Sequence, residues 1–263
     1  MPAAAAAKRP MFFRMGLLAL GEEIGRVVGL ALAPLTGTFS LLRHARMFHP
    51  EGVVYACDVE PTGDTPWPSV AARLAGPALI RVSTAWWRHG RELPDALGLA
   101  IRFRRHEQPS AQADDGDQDL LLATIRHPWT TTLAPLSTHV HDFLDNDYYG
   151  VSPFFADGIG LVYLRAVGSR PHATGGDRGE RLARAVADGS ASWRIEARPA
   201  AARHFRPLAQ LRPRAPVEID QAALRFWPFR DGRGLHPRGF VHALRRAAYR
   251  ASWAMRPHHE LRV

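Results

Sequence analysis

Short alternating and apolar runs fill the middle of the chain, and a three-to-four-residue rhythm marks its two ends. Gly52 to Val59 and Ala78 to Ser83 are β-rich runs, and Ala96 to Arg104 is a third apolar segment. Runs of this length bounded by turn residues predict strands. Between the last two, Trp86-Trp87-Arg88-His89-Gly90-Arg91 leads into a turn at Pro94. Asp119 to Ile125 predicts the next strand, and Val151 to Val167 has the aromatic and β-branched content of further sheet. Gln108 to Gln118 is polar and predicts a solvated hairpin loop. Its aspartates lack EF-hand spacing and a closing glutamate. Ser169 to Gly179 reads as a loop, Arg181 to Asp188 as a helix stopped at Gly189, and Ser192 to Glu196 as extended chain. Arg203 to Pro216 holds several prolines and shows no clear period.

At the ends the period changes. Phe240 to Met255 sets Ala and Leu at helical spacing among many arginines. After a low-complexity tail at Ala3 to Ala7, Phe12 to Leu32 predicts an amphipathic helix ending near Pro34. Such a helix would pack on the body, pair two copies of the chain, or lie on a membrane surface, and packing or dimerisation is the commoner outcome. Strands first and helices last predict an α+β protein with an antiparallel sheet. Without a repeat or linker, 37–263 reads as one domain behind the tail and helix at 1–36.

Composition narrows the function classes. The formal net charge is +9, and Lys8 is the only lysine, so the positive charge is almost all arginine. The arginines are scattered from Arg9 to Arg262, without zinc-finger, RNA-recognition or basic-zipper patterns. That distribution predicts a solvated basic surface and no nucleic-acid partner. Cys57 is alone, which excludes an internal disulfide and cysteine-based zinc and fits a reducing compartment such as the cytoplasm. Its place in a strand predicts a small buried thiol. No apolar run reaches the roughly 20 residues of a membrane span. Phosphate-loop, Gly-x-Ser-x-Gly and His-Glu-x-x-His patterns are missing. His139 and His141, with Asp142, would share a strand face and are the one hint of a metal-dependent hydrolase.

The informative segment lies near the C-terminus. Arg245 and Tyr249 are one helical turn apart, and Arg256 follows seven residues later on the same face. Positive charge on both sides favours a phenolate, a good ligand for ferric iron. Read alone, such a pattern also suits a surface helix with a half-buried ring.

The spacing Arg245-x-x-x-Tyr249 with Arg256 resembles the proximal haem motif of catalases, as does the approach Gly234-Leu235-His236-Pro237. Other segments follow in catalase order. His44-Ala45-Arg46 with Gly52 resembles the distal-histidine segment, and Arg81-Val82-Ser83-Thr84 the Arg-Phe-Ser-Thr stretch. Asp95 to Phe103 is similar to the strand Asp-x-x-Gly-Phe-Ala-x-Lys-Phe. Asp119-Leu120-Leu121 and Ala185 to Gly189 with Ser192-Trp193 have counterparts as well. The likeness runs from about Leu41 to Pro257. It implies a catalase-like antiparallel β-barrel with flanking helices, lacking the C-terminal helical region of large catalases. It implies haem b held by Tyr249 on iron, with Arg245 keeping the phenolate and Arg81 and Arg256 meeting propionates. His44 would be the distal base, preferred to His49 for its distance to Gly52, and Ser83 would orient it. Two positions depart: Ala123 stands where catalases carry an asparagine, and Leu41 replaces an arginine. The long arms that build the catalase tetramer have no counterpart, which implies a smaller assembly and a more open haem. The expected activity is haem-dependent turnover of hydrogen peroxide or organic and lipid hydroperoxides. The alternatives are a haem protein without turnover and a haem-free scaffold binding lipid or a protein.

Overall fold

Burial alternates along the first strand and is nearly continuous along the next three, and this sets the architecture. In a computed structural model, residues 16, 18–28, 51–87, 90–127, 130–131, 133–170, 174–221, 223–243 and 246 are described. The strands are β1 Gly52–Pro61, β2 Gly76–Thr84, β3 Leu97–Phe103, β4 Gln118–Ala123, β5 Asp147–Tyr149, β6 Phe154–Ala156, β7 Gly160–Gly168, β8 Trp193–Pro199, β9 Arg206–Pro216 and β10 Leu235–Pro237. The helices are α1 over 18–28, α2 Pro68–Leu74, α3 Ala134–Ser137, α4 Arg178–Ala187 and α5 over 240–243. Eight strands pair antiparallel in the ring β7-β5-β4-β3-β2-β1-β9-β8, which the β7–β8 pairing closes. β6 and β10 extend from β7 outside the ring.

One face of each strand fills the barrel. Tyr55, Ile80, Ile101 and Leu120 lie in register across four strands and join Trp193, Ile195 and Leu164 in one buried cluster. α2 adds Val70 and Leu74 to it, and α4 adds Leu182 and Val186. Burying each such side chain contributes roughly 1.5–3 kcal/mol. α4 starts three residues earlier than Arg181 because Asp177 caps it: its carboxylate accepts the Glu180 N–H at 2.9 Å, while Glu180 accepts the Asp177 N–H at 3.1 Å. Gly189 ends it with φ 74°.

One stretch without a sequence period takes a regular structure, and one expectation is corrected. The proline-bearing stretch 203–216 supplies β9, eleven residues long, which closes the barrel between β1 and β8. Its prolines flank register shifts, with Pro213 opposite Cys57 beside the shift at Ala56/Cys57, and Pro207 opposite Glu196 beside the shift at Ile195/Glu196. A ladder irregularity is where a missing N–H is tolerated. The polar loop before β4 is not solvated throughout. Asp117 and Gln118 are buried, and the Gln118 amide donates to Arg230 O at 2.8 Å and Leu235 O at 3.1 Å.

On β10, His236 lies between two carboxylates, with Nδ1 2.6 Å from Asp231 and Nε2 3.3 Å from Asp157. Arg73 donates to Asp157 O at 2.6 Å on the same side. The bond to Asp231 raises the imidazole pKa above 6.5; partial burial opposes it and Asp157 adds to it. A raised value means the stabilisation is complete below the unfolded pKa and lost as pH rises through the folded one. Urea midpoints should therefore fall modestly on going from acid to neutral pH, because the site is partly solvated. In His236→Gln that contribution to the pH dependence should be missing.

Candidate functional site

Side chains facing away from the barrel interior on β1 to β4 build the site. Three rows cross these strands in register. The first is Gly52, Ser83, Gly98 and Ala123; the second Val54, Arg81, Ala100 and Leu121; the third Ala56, Leu79, Arg102 and Asp119. The third row and part of the second are covered by 217–231, which packs Val217, Ile219, Leu224 and Phe226 against Val54, Leu79, Ala100 and Leu121. Beneath it Asp119 and Arg102 are both 0% exposed and pair through two bonds, at 2.9 and 3.2 Å. Asp119 also accepts the Trp227 N–H at 2.7 Å and binds Arg230, and Arg102 donates to Arg225 O. This buried ionic group fastens the covering segment to the barrel wall.

The same segment positions Arg81. Its guanidinium is buried and donates to Gln221 Oε1 at 3.2 Å. The guanidinium also runs close under Gly52. A Cβ there would stand 2.7 Å from Arg81 Cζ and collide with Val82 O. Only glycine permits that approach.

The first row is a shelf of very small side chains. Four neighbouring strands at about 4.8 Å spacing make it roughly 14 Å wide. Ser83 Oγ lies 3.5 Å from Gly98 O, within the shelf. At the end of the shelf the Thr124 hydroxyl is committed elsewhere: it meets Thr138 Oγ1 at 2.7 Å and accepts the Leu97 N–H at 3.0 Å. Asp95, buried, accepts the N–H groups of Trp86, Trp87 and Ala96 and fixes the β2–β3 connection at this end.

Of the site residues expected from sequence, Arg81 and Ser83 are brought to one face, two residues apart on β2. His44, Arg245, Tyr249 and Arg256 lie outside the described residues. Sequence reasoning missed Gln221 as the group that holds Arg81; it sits in a stretch without period, and only the fold brings it there. It also passed over His242, buried on α5 edge-on to Phe154 at 4.9 Å and Phe229 at 6.0 Å. His139 and His141 do not converge on one ligand. Their rings are 6.0 Å apart, and each binds its own carboxylate: Asp145 at 2.8 Å and Glu92 at 2.5 Å. Burial pushes the Glu92 pKa up, but His141, the Arg178 N–H and Arg181 together hold it below the ordinary value. Among the described residues no group of three or more His, Cys, Asp or Glu could hold a metal ion. No helix among them is long and apolar enough to cross a membrane.

No protein-family model and no curated protein matches the chain. Solved structures do. Catalase A from Saccharomyces cerevisiae superposes with a TM-score of 0.54 at 13% identity, over 81% of this chain and 60% of that one. A bacterial catalase superposes with a TM-score of 0.51 at 14% identity, over 81% of this chain and 57% of that one. The fold is thus a catalase-like closed antiparallel barrel of eight strands with few helices. The chain spans less than two thirds of the length of these catalases.

Proposed function

We propose that this chain is a haem-dependent hydroperoxidase whose haem lies against the small-residue shelf. The observation that carries the reading is the row Gly52, Ser83, Gly98 and Ala123 with the Arg81 guanidinium at its edge. A flat macrocycle needs a wall without projecting side chains and a cation for its propionates, and this face offers both. The catalase-like fold and the spacing of Arg245, Tyr249 and Arg256 point the same way. When bound, haem supplies a redox-active ferric iron. Tyr249 would be its protein ligand as a phenolate, favoured by Arg245. Arg81 and Arg256 would bind the propionates. His44 would take the proton from the hydroperoxide oxygen nearest the iron and deliver it to the departing oxygen, as general base and then acid. Ser83 would orient that imidazole.

The substrate preference follows from Ala123. A methyl group replaces an amide on the shelf, and Thr124 cannot stand in because its hydroxyl serves Thr138 and Leu97. An apolar wall favours organic or lipid hydroperoxides over hydrogen peroxide. In Ala123→Asn, kcat/KM for hydrogen peroxide should rise relative to that for a fatty-acid hydroperoxide, measured on the same preparation. An unchanged ratio would count against this role of Ala123.

The deciding experiment is an absorption spectrum of protein purified with haem supplied, beside Tyr249→Phe. A Soret band with a high-spin ferric phenolate pattern, altered in the variant, is expected. No haem uptake by either protein would overturn the proposal. Haem uptake with peroxide turnover unaffected by His44→Ala would point to a haem protein without a catalytic distal base.

A further inference from the structure

The C-terminal helix is fastened where it starts, at α5. The Ser152 hydroxyl, just ahead of β6, donates to Arg238 O at 2.8 Å, and the Arg238 N–H donates to Pro153 O at 2.9 Å. Glu22 of α1 accepts the Gly239 N–H at 2.8 Å. Gly21 faces the Phe240 side chain, and a Cβ on Gly25 would collide with Phe240 O, so these glycines let α1 seat directly on α5. Further along, the covering segment 217–231 supplies the seat.

Phe229 is the centre of that seat. His242, 2% exposed, packs edge-on to Phe229 at 6.0 Å and to Phe154 of β6 at 4.9 Å. The Arg246 guanidinium lies over the Phe229 ring at 4.2 Å, a cation on the negative face of an aromatic ring. Trp227 meets the same ring at 5.0 Å, and the Trp227 N–H donates to the buried Asp119. Phe229 is thus tied to the barrel wall and to two successive turns of the helix. His242 and Arg246, four residues apart, share a helix face. Arg245 and Tyr249 follow His242 by three and seven residues, so the helical spacing of the sequence sets them on that face too. The segment that holds Arg81 through Gln221 therefore also grips the helix of the expected iron ligand.

We propose that Phe229 is a positioning residue: by gripping His242 and Arg246 it sets the rotation of the C-terminal helix, and thereby the approach of Tyr249 to the iron. The role toward iron rests on the haem reading above. The grip on the helix does not.

Amide hydrogen exchange of the full chain without haem tests the grip. Phe229→Leu keeps apolar bulk and removes the aromatic face. In it, exchange across 240–246 should quicken about five- to tenfold, while β2 and β3 keep the parent's protection. Phe229→Tyr restores the face and should exchange as the parent does. Exchange unchanged in Phe229→Leu, or quickened equally in Phe229→Tyr, overturns the proposal, as does a parent without protection across 240–246. Absorption spectra of the same proteins with haem supplied test the role toward iron. The ferric bands of Phe229→Leu should move toward those of Tyr249→Phe, and those of Phe229→Tyr should match the parent. Bands of Phe229→Leu identical to the parent's overturn the positioning of Tyr249. A parent that takes up no haem overturns the haem reading instead, and exchange then decides the grip by itself.

Discussion

Asp119→Ala is expected to lower the unfolding free energy by about 3–5 kcal/mol, because it strands a buried Arg102 without its counter-charge. Domains of this kind are stable by about 5–15 kcal/mol, so much of the native population would be at risk. The loss goes beyond one ion pair. Asp119 also accepts from Trp227 and Arg230, so its removal unfastens 217–231 from the outside of the barrel. That segment carries Gln221, which holds Arg81. Urea unfolding followed by tryptophan fluorescence should show a midpoint well below the parent's. Replacing both charges at once, Arg102→Met with Asp119→Leu, should recover a large part of it, since an apolar pair of similar volume leaves no buried charge. A double variant as unstable as Asp119→Ala would show that the segment depends on the carboxylate itself.

Gly52→Val should have the largest effect on the site. The added side chain meets Val82 O and the Arg81 guanidinium, so Arg81 has to leave its place and the shelf gains a projection. Overpacking of this sort costs about 1–3 kcal/mol, which a stable barrel survives. Haem affinity should fall at least about tenfold, equivalent to 1.4 kcal/mol, in a Soret titration of folded protein. Ser83→Ala keeps the shelf flat and should bind haem as the parent does. Equal haem affinity in Gly52→Val and the parent would remove the shelf from the binding site.

Much of the barrel was legible in the chain, because strands buried on one face or both leave strong short-range patterns. β1, β2 and β3 fall within a residue or two of the runs at Gly52, Ala78 and Ala96, and the antiparallel arrangement followed from their order. β9 was hidden because prolines suppress the strand signal, and their accommodation at register shifts is a property of the partner strands. The buried state of Gln118 and Asp119 was hidden for a related reason: part of their hydrogen bonding comes from about 110 residues away, at Arg230 and Leu235. The site was legible only in part. Arg81 and Ser83 stand in a recognisable strand motif, whereas the flat shelf beside them is a matter of register among four strands. The N-terminal helix was evident from its period, but its orientation rested on Gly21 and Gly25 and their contact with α5.

The seam between β1 and β9 joins residues some 150 positions apart, Tyr55 with Pro216 and Pro61 with Ala209. Contacts so distant in sequence form slowly, which makes ring closure a late event in folding. Cys57 sits on that seam opposite Pro213, fully buried, its thiol pKa pushed up by burial and the charge of Asp58. A buried thiol with a raised pKa does not react until the strands part. Because the chain contains no other cysteine, the rate at which a thiol reagent consumes it is a direct clock of how often the native barrel opens, readable without introducing any label.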